Sequence, residues 1–177
     1  MTEGADPSTS LGMTASVESK GHVIGLISDT HGLLRADVHR ALDGVELILH
    51  AGDVGGDEIL DELALIAPVL AVFGNTDPTI DPRLASSIER SIGGVSIHVS
   101  HGHELGSPTP AKLLERYAAD VIVYGHTHQQ LVARADGRLV VNPGAAGARR
   151  FKLEPSVARL TISDGRADVE LVPLLGS

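Results

Sequence analysis

The sequence predicts an α/β fold in which two β-sheets face each other with helices on the outside. Three observations lead there. Short apolar, β-branched runs alternate with helical stripes over the first two-thirds of the chain, and the last third turns to paired strands around Asp-Gly turns. Polar residues able to hold a metal also recur just beyond one strand after another.

The strand candidates are Val23–Ile27, Val45–Leu49, Val69–Phe73, Val95–Val99 and Val121–Tyr124. They are nearly continuous in apolarity, as strands buried on both faces are. Between them, Leu34, Val38, Ala41 and Leu42 fall at i, i+4, i+7 and i+8, one stripe of a helix. Ile59, Leu63 and Ile66 make a second stripe, and Leu113, Leu114 and Tyr117 a third. Thr109 and Pro110 ahead of the third suit an N-cap and a first helical turn. Leu131–Ala135 and Leu139–Val141 flank Asp136-Gly137, and Val157–Ile162 and Ala167–Val172 flank Asp164-Gly165, which predicts two tight hairpins. Residues 1–20 read as a loose polar tail, with Met13 a candidate start, and residues 21–177 as the folded domain.

Composition narrows the function. A chain of 177 residues, 42% hydrophobic and 21% charged, is ordinary globular material of one-domain size. No apolar run approaches the roughly 18 residues of a membrane span. The first twenty residues lack the apolar core of a secretory signal, so a cytoplasmic protein is expected. With no cysteine, disulfides and thiolate chemistry are excluded, and any metal falls to His, Asp, Glu or Asn. Lys and Arg number 14 against 23 Asp and Glu, a net charge of −9, with only two Tyr and two Phe. That balance argues against a binder of long nucleic acid, which needs a basic face and stacking aromatics.

Five strand candidates end alike, in Ser28-Asp29-Thr30-His31, His50-Ala51-Gly52-Asp53, Gly74-Asn75-Thr76-Asp77, Ser100-His101-Gly102-His103 and Gly125-His126-Thr127-His128. Ligands of open α/β sheets bind beyond the carboxyl ends of the strands, so these loops should converge on one crevice. Each segment alone is an ordinary turn; the set is not. Asp29, His31, Asp53, Asn75, His101, His126 and His128 are more ligands than one ion takes. They suit two ions about 3.5–4 Å apart that share a carboxylate, the clamp used on a transferring phosphoryl group. Such ions, partly neutralised by Asp29 and Asp53, would let an acidic chain hold an anionic phosphodiester.

These blocks, Asp29-Thr30-His31-Gly32, Gly52-Asp53-Val54, Gly74-Asn75-Thr76-Asp77, His101-Gly102-His103 and Gly125-His126-Thr127-His128, resemble the successive signatures of the calcineurin-like metallophosphoesterase superfamily. With Asn142-Pro143-Gly144, they look like its small phosphodiesterase branch of bacteria and archaea, over about residues 21–175. The resemblance implies a four-layer α-β-β-α sandwich. It implies one ion on Asp29, His31 and His128, a second on Asn75, His101 and His126, and Asp53 bridging them. It also implies in-line attack on phosphorus by a water or hydroxide that bridges the metals. Manganese comes first as the metal, with iron, zinc, nickel or magnesium also compatible. Similar small phosphodiesterases form dimers or tetramers, so a homo-oligomer acting on a small phosphodiester, away from membranes, is the expectation.

Asp53 and Asn75 are assigned to catalysis as well as ligation. Many relatives carry a histidine directly after the asparagine, where it helps protonate the leaving group; this chain has Thr76, a poor acid. His103 is the candidate to replace it. Asp77 and His50 read as supports of ligand loops, and His22, His39 and His98 as a tail junction, a helix surface and a strand position. Asn142-Pro143-Gly144 is a turn or a shaper of the site, and Arg149 and Arg150 read as a solvated pair. Two alternatives to the phosphodiesterase stand: a protein-interaction scaffold on the same fold, as in the retromer coat, and a phosphomonoesterase. A nuclease of long duplexes is disfavoured by charge.

Overall fold

A computed structural model of the chain describes residues 21–175; the tail expected over residues 1–20 lies outside the described residues. Along the chain run β1 (His22–Ile27), α1 (Asp37–Ala41), β2 (Leu47–His50), α2 (Asp57–Leu63), β3 (Val69–Val72), β4 (Leu84–Ala85), β5 (Ile88–Ile92) and β6 (Val95–Val99). A 3₁₀ turn (His103–Leu105), α3 (Pro110–Arg116), β7 (Val121–Val123), β8 (Leu131–Ala135), β9 (Arg138–Asn142), β10 (Ser156–Ser163) and β11 (Arg166–Pro173) follow.

The strands form two sheets, ordered β11-β10-β1-β2-β3-β4 and β5-β6-β7-β9-β8. β1 through β4 pair in parallel, as do β6, β7 and β9, while β10, β11, β5 and β8 add antiparallel edges. The strand period of two sends alternate residues to opposite faces. Ile24 and Leu26 of β1 therefore meet Ile97, Val99, Val121, Val123 and Val141 of the other sheet. Ile27 and Ile48 face outward onto Val38 and Leu42 of the α1 segment and Leu60 and Leu63 of α2. On the far side, Leu113 of α3 covers Ile122 and Val140. The layers are α-β-β-α, the four-layer sandwich expected from the sequence.

Most predicted elements appear in place. Thr109 caps α3, its Oγ1 accepting from Lys112 N at 3.2 Å, with Pro110 opening the helix. In both hairpins Asp136, Gly137, Asp164 and Gly165 all have positive φ, as a type I′ turn requires. Two details differ. β2 runs to His50, so that histidine ends the strand instead of following it. The helix expected from Leu34 is shorter, because Leu34 precedes α1 and Gly44 at φ +83° ends the segment.

The loops after β1, β2, β6 and β7 are tied to one another. Asp29 N donates to Gly52 O at 3.0 Å, His31 N to Asp53 O at 2.9 Å and Gly125 N to His101 O at 2.9 Å. Across the sheets, His101 Nδ1 bonds Ala51 O at 2.7 Å and His126 N bonds Asp29 Oδ2 at 3.2 Å, which joins the carboxyl ends of both into one rim.

Candidate metal centre

Asp29, His31, Asp53, His126 and His128 all sit in left-handed backbone, at φ between +47° and +70°. Non-glycine residues rarely adopt this conformation, and each costs on the order of 1 kcal/mol or more. The strain turns each side chain sharply off the end of its strand and into the crevice. Five of the eight such residues among those described are predicted ligands.

Two groups form there, Asp29 with His31 and His128, and Asp29 with Asp53 and His101. Asp29 Oδ1 lies 3.3 Å from His128 Nε2, 3.7 Å from His31 Nε2 and 3.9 Å from His101 Nε2. Asp53 Oδ2 lies 3.6 Å from His31 Nε2 and 3.2 Å from His101 Nε2, between the two groups. Asn75 Oδ1 stands 3.1 Å from both His101 Nε2 and His126 Nδ1. All seven predicted ligands thus meet in one place, on five different loops.

Asp29 and His101 are held from behind. Ser28 Oγ at 2.6 Å and His126 N at 3.2 Å both donate to Asp29 Oδ2, so that oxygen is occupied. Asp29 Oδ1, fully buried, has no hydrogen-bond partner among the described residues. A buried carboxylate oxygen facing three imidazole nitrogens without a hydrogen bond is a cation's place. His101 Nδ1 donates to Ala51 O at 2.7 Å, which leaves its Nε2 toward the crevice. The all-nitrogen-and-oxygen donor set fits manganese, iron or zinc.

A family model described as the calcineurin-like phosphoesterase superfamily domain matches residues 23–165. The chain belongs to that superfamily. A probable metallophosphoesterase from Methanothermobacter thermautotrophicus is 35% identical over 158 residues, 85% of this chain and 91% of the relative. A phosphodiesterase from Methanocaldococcus jannaschii is 29% identical over 139 residues, 68% of this chain and 82% of the relative. Among solved structures, Vacuolar Protein Sorting 29 from Cryptosporidium parvum superposes with a TM-score of 0.74 at 24% identity, covering 88% of this chain and 99% of the other; that likeness shows the fold.

Electrostatics in this phosphoesterase follow from the clustering. Burial opposes ionisation of Asp29, but contacts with His128 and His31 and the charge of His101 outweigh it and hold the carboxyl well below the usual range. Asp53 is depressed similarly, burial being overcome by His101 and by Thr76. Burial also works against the His101 cation, yet Asp53 and Asp29 raise its pKa. His126 is lowered, by burial first and then by His101.

Other residues brace the ligand loops; the sequence pointed to His50, Asp77 and the Asn142 segment for such roles but not to Thr76. Thr76 bonds Asp53 Oδ1 through its backbone N at 2.9 Å and its Oγ1 at 2.8 Å. His50 accepts from Gly52 N at 3.1 Å and pairs with Thr30 Oγ1 at 3.0 Å, which in turn donates to Val54 O. Asp77 gathers Val54 N, Gly55 N and Gly74 N. Asn142 Nδ2 donates to Gly125 O and Thr127 Oγ1, and its Oδ1 accepts from Gly144 N. The Asn142 segment therefore shapes the His126–His128 loop. Gly125 is required there, since a Cβ would stand 2.0 Å from Ser28 Oγ.

His103 lies at the rim, its ring 5.3 Å from that of His101 and 6.4 Å from that of His126. Its Nδ1 is buried without a hydrogen-bond partner among the described residues. Glu104 holds this turn, accepting from Gly102 N at 2.9 Å and from Tyr117 OH at 2.7 Å. His98, expected as a plain strand residue, is buried and stacked on Tyr117 at 3.7 Å between ring centres, and pairs with Glu89. No helix of the described residues is long and apolar enough to cross a membrane.

Proposed function

We propose that this phosphoesterase is a metal-dependent phosphodiesterase that hydrolyses a small or nucleotide-like phosphodiester at a centre of two divalent ions, manganese first among them. The observation that carries the reading is Asp29 Oδ1, buried and without a hydrogen bond, facing the Nε2 atoms of three histidines. Asp29, His31 and His128 would hold one ion and Asn75, His101 and His126 the other, with Asp53 shared. When bound, the ions supply positive charge against the phosphoryl oxygens and acidify water.

The chain's own groups do the rest. Thr76 pins Asp53 Oδ1, so Asp53 presents Oδ2 to both halves of the site. Ala51 O fixes the His101 tautomer. In the reaction, water oxygen forms a bond to phosphorus and the bond from phosphorus to the leaving oxygen breaks. One water proton ends on the leaving oxygen, giving a monoester and an alcohol. His103, at the rim and steadied by Glu104, carries that proton. A fixed site of this kind stabilises charge without reorganising as the reaction proceeds.

The test is hydrolysis of bis(p-nitrophenyl) phosphate after chelation and manganese add-back, beside a folded Asp53→Ala variant. Metal-dependent activity that the variant loses supports the proposal. Activity that survives chelation or the substitution overturns it, and so does inertness with manganese bound.

A further inference from the structure

The loop between β9 and β10 is anchored at the metal centre and carries the densest positive charge in the described chain. Gly147 N bonds Asp29 O at 3.3 Å, and Arg35 Nε donates to Gly147 O at 2.9 Å. A Cβ on Gly147 would stand 2.2 Å from Thr30 O, so the loop leaves the site in direct backbone contact with it. Five residues later the chain lines a cleft of about 450 Å³ with His128, Gln129, Gln130, Lys152, Leu153 and Glu154. One wall of that cleft is therefore a predicted metal ligand, and the opposite wall is this loop.

Between anchor and cleft stand Arg149, Arg150, Phe151 and Lys152. Three cations in four positions is a marked departure for a chain of net charge −9. Among the described residues no ion pair or hydrogen bond engages any of the three side chains; only the Arg150 carbonyl is used, accepting from Leu153 N at 3.0 Å. Phe151 is 94% exposed, the most exposed large hydrophobic side chain described, and one of only four aromatic residues. It sits at φ +53°, a strained conformation for a bulky side chain. Strain, exposure and free positive charge meet on a loop hung from the metal centre, where local strain tends to serve binding.

We infer that this loop and cleft form a substrate subsite for the non-scissile part of a nucleotide: a base stacks on Phe151, and a further phosphate is taken by Arg149, Arg150 and Lys152. The substrate class is then a short single-stranded dinucleotide or oligonucleotide that bears a phosphate besides the scissile one. Aromatic faces accept any base by stacking, and guanidinium groups bind phosphate bidentately. The exposed amides of Gln129 and Gln130 offer donors and acceptors to the sugar and base edges. Glu154, the one carboxylate lining the cleft, repels phosphate there and biases it toward the arginines. Long nucleic acid remains disfavoured, because the basic stretch spans four residues on an otherwise acidic protein. The inference rests on the phosphodiesterase reading of the adjacent centre.

The experiment compares 5′-phosphorylated diadenosine monophosphate with bis(p-nitrophenyl) phosphate, which has no second anion or base. Manganese-loaded wild type, Arg149→Ala/Arg150→Ala/Lys152→Ala, Phe151→Ala and Phe151→Tyr are assayed on both. Relative to bis(p-nitrophenyl) phosphate, the dinucleotide's kcat/KM is expected to fall about tenfold or more in the triple variant and in Phe151→Ala, and to be retained in Phe151→Tyr. Equal loss on both substrates, or no loss on either, overturns the inference. Calorimetric titration of the dinucleotide into chelated protein separates the two readings. If wild type hydrolyses neither ester, the phosphodiesterase reading fails, while metal-free binding that weakens in the variants keeps the subsite. Absent or unaltered metal-free binding in that case, or preferential capture of anionic phosphatidylglycerol vesicles by the loop, overturns it.

Discussion

Thr76 grips Asp53 twice, donating from its backbone N at 2.9 Å and from its hydroxyl at 2.8 Å to the same oxygen, Oδ1. The other oxygen, Oδ2, is thereby turned between His31 and His101. The residue that stands where many relatives carry an acid–base histidine supports Asp53, the carboxylate that the proposed centre would share between its ions.

Removing the hydroxyl should loosen that carboxylate without unfolding the loop, because the backbone bond survives. Thr76→Val is expected to weaken manganese affinity about tenfold, and Thr76→Ser to stay near wild type. Calorimetric metal titration of the three proteins checks this; equal affinities would show that Asp53 needs no such support.

The buried ring of His50 accepts from Gly52 N, so its Nε2 carries the hydrogen and faces Thr30. Burial first, and the charge of His101, push its pKa down to about 4. The native protein thus holds it neutral while the unfolded chain titrates near 6.5, and the unfolded state binds more protons in between. Its contribution is complete above pH 6.5 and is lost as the pH falls toward 4, by about 3 kcal/mol at most. Urea midpoints of metal-free protein across that window should fall more steeply for wild type than for His50→Gln. Parallel slopes would contradict the account.

Asn142 is fully buried and serves three partners, Gly125 O and Thr127 Oγ1 on the turn that carries His126 and His128 and Gly144 N on its own loop. Asn142→Ala leaves Gly125 O and Gly144 N without this partner. A loss of about 2 kcal/mol in urea unfolding is expected, together with weaker metal binding. Asn142→Asp, which keeps only the acceptor, should lie between.

If His103 supplies the leaving-group proton, its removal should depend on the ester. His103→Ala is expected to slow a diester with a sugar hydroxyl as leaving group by about a hundredfold or more, while p-nitrophenolate, a good leaving group, departs almost as fast as before. Equal effects on both would remove His103 from that role.

The sequence revealed the strands and the ligand loops for the same reason: apolar β-branched runs buried on both faces stop abruptly at His, Asp and Asn. β5 carried no such signal, because Glu89, Arg90 and Ser91 sit on an exposed edge strand with polar residues on both faces. The double bond from Thr76, the His98–Tyr117 stack and the placement of Arg149–Lys152 depend on loop backbones. Local residue types do not encode these; the left-handed φ values at Asp29, Asp53 and His128 do not follow from propensity, which disfavours them. The Asp-Gly hairpins were legible because that dipeptide favours one turn geometry.

The most direct test titrates manganese into chelated protein while bound metal and the hydrolysis rate of bis(p-nitrophenyl) phosphate are followed together. The account predicts a rate that reaches its plateau as bound manganese approaches about two ions per chain, with Asp29→Asn binding less and losing activity. A protein that binds no manganese, or that hydrolyses the diester equally well without it, would contradict it.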